Sequence, residues 1–466
     1  MKVEKIATGC PGLDEVLRGG IPANTISVIM GAPGTGKTIL GEQLAFANAT
    51  PDAPALYLTT LSEPLEKILV HGQTHSFFDV AKVGTSVFYE DLGIKLRDAG
   101  VEKLPEIVLE LILTHRPRFV FIDSFKALNE LLVSAELRRT ITYDLANVLS
   151  SYECTSFLIG EYSQEAMTEL PVFAIADVIL QLIKHPTNAM EERFVRIEKL
   201  RGSDSVAGLH AFSITGQGIE VYPRLLTPLV APAYSAKVER VNTAIPGLDD
   251  MIAEGFWRGS TTLVAGPTGS GKTIMGLHFI CGGALKGEPG LYLGFQENPS
   301  QLTRIIESFG WKADQLTNDG LELMYRSPVE MQLDKVTHEL FHRVRAGKIK
   351  RVVIDALGDL ERCSIDRKRF SDFIYALTQW FAVENVTCMM TYELTNLFEV
   401  TGISDQEISN MSDNIVLLRF REGPEMERTL RIIKTRGSAH DNREHRLEIT
   451  SQGIVIKKAK KQSLRP

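Results

Sequence analysis

The chain has 466 residues, 44% of them hydrophobic and 23% charged, and carries a formal net charge of −7. That length exceeds what one hydrophobic core serves and predicts two domains of roughly 200 residues each. The acidic total argues against a dedicated nucleic-acid binder, and five scattered cysteines without a CxxC pair argue against a zinc site or a disulfide framework.

In chain order, MKVEKIATGC has no apolar core of signal-peptide length, and no later run approaches the ~18 apolar residues of a membrane span. The reading is a cytoplasmic protein that needs no membrane. The apolar, β-rich TISVIMG then leads into GAPGTGKT (31–38), and the amphipathic ILGEQLAFANA follows. This is strand, glycine loop, helix, and the loop satisfies GxxxxGK[ST]. Gly31, Gly34 and Gly36 let successive backbone N–H groups point at phosphate oxygens, and the helix N-terminus adds partial positive charge. Lys37 would reach the β- and γ-phosphates and Thr38 would ligate Mg²⁺, so ATP with Mg²⁺ is the expected ligand. LYLTT, RFVFID and TSFLIGE read as further buried strands. Asp123 ends the second of them, where a P-loop enzyme needs another carboxylate near the metal. Glu161 ends the third, and KLRGS (199–203) supplies Lys199 and Arg201.

Everything then happens again. PGLDEVLRGG (11–20) recurs as PGLDDMIAEG (246–255), GAPGTGKT as GPTGSGKT (266–273), RFVFIDS as RVVIDAL, and KLRGS as KTRGS (434–438). The offset is 235 residues, shortening to 232 for the aspartate strand, so the chain is a tandem duplication. The second set is Gly266, Gly269, Gly271, Lys272, Thr273, Asp355, Glu393, Lys434 and Arg436. The join falls in YPRLLTPLVAPAYSAK (222–237), where three prolines prevent a regular element. The expected boundaries are 1–225 for the first domain, 226–237 for a linker, 238–456 for the second domain and 457–466 for a basic tail. Strands alternating with helices predict an α/β fold, a mostly parallel sheet flanked by helices in each domain. Parallel connections gather the active residues at the C-terminal edge of each sheet.

These motifs resemble the RecA-like P-loop ATPases and, more narrowly, the KaiC family of the circadian clock, over nearly the whole chain. The resemblance implies two KaiC domains in tandem, a double-ring homo-hexamer with ATP between subunits, and protein signalling partners. It further implies ATPase chemistry in the first ring and autokinase chemistry in the second. The family's adjacent catalytic glutamates fall on Leu61 and Ser62 in the first copy, and on Gln296 and Glu297 in the second. Glu297 is therefore the retained catalytic carboxylate, with Lys272, Lys434 and Arg436 as its catalytic cations, and the first domain is expected mainly to hold nucleotide. Lys199, Arg201, Lys434 and Arg436 correspond to residues that reach the γ-phosphate bound by a neighbouring subunit. Ser409 aligns with a phosphorylated serine and Asn410 with a phosphorylated threonine, so a two-residue phosphorylation cycle is excluded; Ser412 is a nearby substitute hydroxyl. Two other readings compete: a RecA-type DNA-dependent ATPase, and a nucleotide-stabilised scaffold with little turnover. Against DNA stand residues 161–177 and 395–414, where such enzymes hold single strands; both stretches contain acids and neither has a Lys or Arg.

Overall fold

The computed structural model describes residues 4–60, 65–186, 191–228, 238–394, 411–422 and 425–457. The chain divides into two compact units, Met1–Arg224 and Leu225–Pro466.

In the first unit nine strands form one sheet: β1 (Ile26–Gly31), β2 (Ala55–Thr59), β3 (Val87–Asp91), β4 (Phe119–Asp123), β5 (Thr155–Gly160), β6 (Val178–Pro186), β7 (Glu191–Leu200), β8 (His210–Thr215) and β9 (Gly218–Tyr222). Their order is β9-β8-β7-β6-β1-β5-β4-β2-β3. The six strands from β3 to β6 are parallel, and β7, β8 and β9 add an antiparallel extension at one edge.

The inner strands are largely apolar because both faces are covered. Side chains alternate across the sheet with period two. Ile29, Tyr57, Phe121, Phe157 and Ile159 turn toward helix α1 (Lys37–Asn48), where Leu40 and Leu44 meet them. Val28, Met30, Leu56, Leu58, Val120 and Ile122 point the other way, onto α2 (Leu104–His115) and α3 (Ala135–Ser151) through Val108, Ile112, Leu145 and Leu149. The Phe121 ring stacks between Tyr57 and Phe157, with centroids 5.4 and 4.6 Å away. Such pairs add about 0.5–1.5 kcal/mol beyond the area they bury.

The second unit repeats the plan with β10 (Thr261–Gly266), β11 (Gly290–Gly294), β12 (Leu321–Tyr325), β13 (Arg351–Asp355), β14 (Thr387–Glu393), β15 (Asn414–Arg421), β16 (Glu427–Thr435), β17 (His445–Thr450) and β18 (Gly453–Lys457). The order, β12-β11-β13-β14-β10-β15-β16-β17-β18, matches that of the first sheet strand for strand. Helix α4 (Lys272–Ala284) follows β10 as α1 follows β1, and α5 (Pro299–Ser308) follows β11. Asp123 and Asp355 are the last residues of β4 and β13, in register with Thr59 and Gly294 on the neighbouring strands. Each glycine loop and its aspartate therefore share the C-terminal edge of one sheet, where sequence reasoning put them.

Candidate nucleotide sites

Gly36 and Gly271 precede the first turns of α1 and α4 with φ of 99° and 106°, the left-handed region that glycine enters without penalty. Neither helix start is capped by a side chain, so its first N–H groups face the cleft rather than a protein acceptor. Gly31 needs its missing side chain for another reason. A Cβ there would lie 2.3 Å from the carbonyl oxygen of Leu182 on the neighbouring strand.

The first cleft has a volume of about 540 Å³ and is lined by Gly34, Gly36, Lys37, Thr38, Asp123, Lys126, Glu130 and Glu161, among others. Thr38 Oγ1 donates to Asp123 Oδ2 at 2.8 Å, and the buried Tyr57 hydroxyl donates to the same oxygen at 3.1 Å. Lys37 Nζ donates to the Ala32 carbonyl at 2.9 Å and lies 3.7 Å from Glu161. Burial lowers the Lys37 pKa, with Glu161 and then Asp123 opposing. Lys126 pairs with Glu130 at 2.9 Å. Leu61 and Ser62 lie outside the described residues.

The second cleft, of about 360 Å³, is lined by Gly269, Gly271, Lys272, Thr273, Gln296, Glu297, Asp355, Glu393 and Arg428, among others. Thr273 Oγ1 donates to Asp355 Oδ2 at 2.7 Å and Tyr292 to the same oxygen at 2.5 Å, while Thr391 donates to Oδ1. Lys272 Nζ donates to the carbonyls of Gly266 and Pro267 at 2.8 and 2.9 Å. Its pKa is lowered by burial, against Glu393 and Asp355. Burial first, and then the aspartate alongside, raise both phenols, so Tyr57 and Tyr292 stay protonated donors. In each domain a threonine hydroxyl and a carboxylate thus converge beside a lysine, hard oxygen donors of the kind Mg²⁺ takes.

Glu297 stands just past the end of β11, where Asn298 starts α5 with a reciprocal cap. Asn298 Oδ1 accepts from the Gln301 N–H at 3.0 Å, and Gln301 Oε1 accepts from the Asn298 N–H at 2.8 Å. This fixes the corner that carries Gln296 and Glu297. The Glu297 carboxyl is half-buried, and its pKa rises above the usual 4.5 through burial, then the charges of Asp355 and Asp359. A carboxylate with raised proton affinity in the same cleft as the P-loop lysine is chemically able to accept a proton there.

A family model described as "ATPase: KaiC" matches residues 6–225 and again residues 241–461. The chain belongs to the KaiC family of ATPases. It is 28% identical to the circadian clock protein KaiC3 of Synechocystis over 98% of this chain and 92% of that one. Against the circadian clock oscillator proteins KaiC of Picosynechococcus and Thermosynechococcus vestitus, the identities are 27% and 28%. Each alignment spans 98% of this chain, and 90% and 89% of the respective relative. The two units are thus tandem KaiC domains with a RecA-like fold, and nucleotide binding belongs to the family they represent.

The cations of the two KaiC-type Lys-x-Arg-Gly stretches lie elsewhere. Leu200 is in register with Val178, and Thr435 with Asn414, at the starting edge of the parallel strands. Each stretch is therefore about 16 Å, one strand's length, from the P-loop of its own domain. Arg201 sits 3.4 Å from Asp177 and Arg436 sits 3.5 Å from Asp413, with both arginines largely exposed. Lys199 Nζ donates to the Phe173 carbonyl at 3.3 Å and Lys434 Nζ to that of Ser412 at 2.7 Å. Burial lowers both lysine pKa values, helped by the adjacent arginine. None of the four lines the cleft of its own domain. Ser409 and Asn410 lie outside the described residues, as does the basic tail from residue 458. Ser412 is buried at 2% exposure, which removes it as an accessible substitute acceptor.

Sequence reasoning missed several groups. Tyr57 and Tyr292 hold the two aspartates and occupy equivalent places in YLTT and YLGF, so the repeat already carried that signal. Arg428 Nε donates to the Gly269 carbonyl at 3.0 Å and lines the second cleft. Lys126 enters the first cleft where the second domain has Gly358, and Asp359 stands behind Gln296. None of the five cysteines forms a disulfide, and four are buried. No group of three or more His, Cys, Asp or Glu fit to hold a metal, and no helix long and apolar enough to cross a membrane, occurs among the described residues.

Proposed function

We propose that the second domain is the main site of ATP turnover and that the first holds nucleotide chiefly to stabilise an assembly. The observation that carries this is Glu297, half-buried in the second cleft beside Lys272, Thr273 and Asp355, where the first copy has Leu61 and Ser62. The P-loop amides and Lys272 hold the β- and γ-phosphates. Thr273 and Asp355 would supply oxygen ligands for Mg²⁺, and Thr38 with Asp123 would do so in the first domain. Mg²⁺ bound there would neutralise phosphate charge. Glu297 takes the proton of the attacking water or hydroxyl.

The placement of Lys199, Arg201, Lys434 and Arg436 one strand's length from their own P-loops favours a role in trans. That requires a ring, which we take to be a homo-hexamer, with turnover coupled to assembly. Serine autokinase activity at Ser409 in the second domain, and a cytoplasmic role as a signalling or timing hub for other proteins, complete the reading. The test is to size the protein with and without ATP while following ADP release in Lys37→Ala and Lys272→Ala. Lys37→Ala should weaken ATP-dependent assembly, and Lys272→Ala should remove most turnover. Equal loss of turnover per assembled ring in both variants would contradict the division of labour.

A further inference from the structure

Gln296 occupies a cleft position at which a glutamate could take a proton, and a glutamine cannot. The residue is exposed, yet its side chain has a fixed partner. Nε2 donates to Asp359 Oδ2 at 3.2 Å, across 63 residues of sequence. Asp359 lies on the short helix Leu357–Arg362, only 3% exposed, and is not among the residues that line the cleft. Arg362, itself exposed, is 3.4 Å from the other carboxylate oxygen. An ionised carboxylate can only accept hydrogen bonds, so it selects the NH₂ end of the amide. Gln296 Oε1 is thereby left to the cleft that the side chain lines.

The repeat offers an internal control. The first-domain counterparts of Gln296 and Asp359 are Leu61 and Ala127, so both partners are missing together where the amide is missing. A buried aspartate serving only its own helix would not need to track the residue at position 296.

We infer that Asp359 is a positioning residue of the second site, holding Gln296 by its amide nitrogen so that Oε1 accepts a hydrogen bond from the attacking water or hydroxyl. Gln296 orients the nucleophile and takes no proton; the proton goes to Glu297. A neutral amide clamped this way reproduces the acceptor geometry of a glutamate without a third carboxylate beside Asp355 and Glu297. The inference rests on the second domain being the site of turnover.

The test is a double-mutant cycle in full-length protein with Lys37 intact, read as kcat and KM for ATP where sizing shows every variant equally assembled. Asp359→Asn keeps the shape but lets the amide turn over, and should lower kcat by about tenfold with KM within about twofold. Gln296→Glu alone should also be impaired, because it sets two carboxylates against each other. Combined, the two substitutions should outperform either one, since the asparagine can donate to the new glutamate. An unchanged kcat in Asp359→Asn, or a double variant no better than the product of the singles, overturns the proposal. So does a loss of kcat matched by equal losses of ATP affinity and Tm, which would give Asp359 a purely structural role. If Lys272→Ala in the same protein releases ADP at the parental rate, the division of labour fails instead.

Discussion

Glu297→Gln removes one proton acceptor while keeping the volume and reach of the side chain. Its neighbour is already an amide, so the variant leaves the corner after β11 with no base. General-base catalysis contributes about 10²–10⁴ in rate, so hydrolysis should fall at least ~10²-fold, about 2.7 kcal/mol of transition-state stabilisation. The effect on folding has the opposite sign. In the fold Glu297 keeps its proton to higher pH than in the unfolded chain, because of burial and the charges of Asp355 and Asp359. Ionising it therefore costs stability, which is fully present below the usual glutamate range and is lost as pH rises through the raised folded value. Glutamine escapes that loss. The variant should match its parent in Tm at acid pH and equal or exceed it near neutrality. The same raised pKa places the acid limb of parental kcat/KM above 4.5, and the variant should lack that limb. The assay is steady-state ADP release from assembled protein with Lys37 intact, paired with thermal melts across pH. A rate within threefold of the parent refutes Glu297 as the base. A rate loss accompanied by a lower Tm refutes the electrostatic account.

Tyr292→Phe deletes one donor to Asp355 without opening a cavity, while the Thr273 and Thr391 hydroxyls remain. The loss of one hydrogen bond to a charged acceptor is about 1.5 kcal/mol, or about 3–6 °C in the melting of a domain this size. Calorimetry should find that shift in the second domain's transition. Phosphopeptide analysis after incubation with ATP should find phosphate at Ser409 and none at the buried Ser412.

The legible parts of the sequence were those whose chemistry is local. A glycine loop needs its spacing, its lysine and its threonine within eight consecutive residues, and Gly31–Thr38 and Gly266–Thr273 declare themselves. Asp123 and Asp355 were legible because each ends an apolar run downstream of such a loop. What stayed hidden depends on which strands are neighbours. Tyr292 meets Asp355 because β11 and β13 pair in parallel with Gly294 opposite Asp355, although 63 residues separate the two side chains. The contact between Gln296 and Asp359 arises from the same pairing. No periodicity reports strand order, so the repeat could mark Tyr57 and Tyr292 as equivalent but could not show what either tyrosine, or Gln296, touches. The antiparallel extension β7–β9 was likewise invisible as an extension, since its strands read like any others. Lys126 is not legible from the repeat, because its counterpart, Gly358, has no side chain to announce a site.

The separation of each Lys-x-Arg stretch from its own P-loop has a consequence for heredity as well as for chemistry. If these cations serve a neighbour, a lesion at Lys272 disables the chain that carries it, whereas a lesion at Arg436 disables the chain beside it. Two inactive alleles, Lys272→Ala and Arg436→Ala, are then expected to complement when co-expressed. In mixed rings, some intact P-loops would face intact arginines. ADP release from the mixture should exceed that of either pure variant, and strict failure to complement would mean that Arg436 serves its own subunit or none.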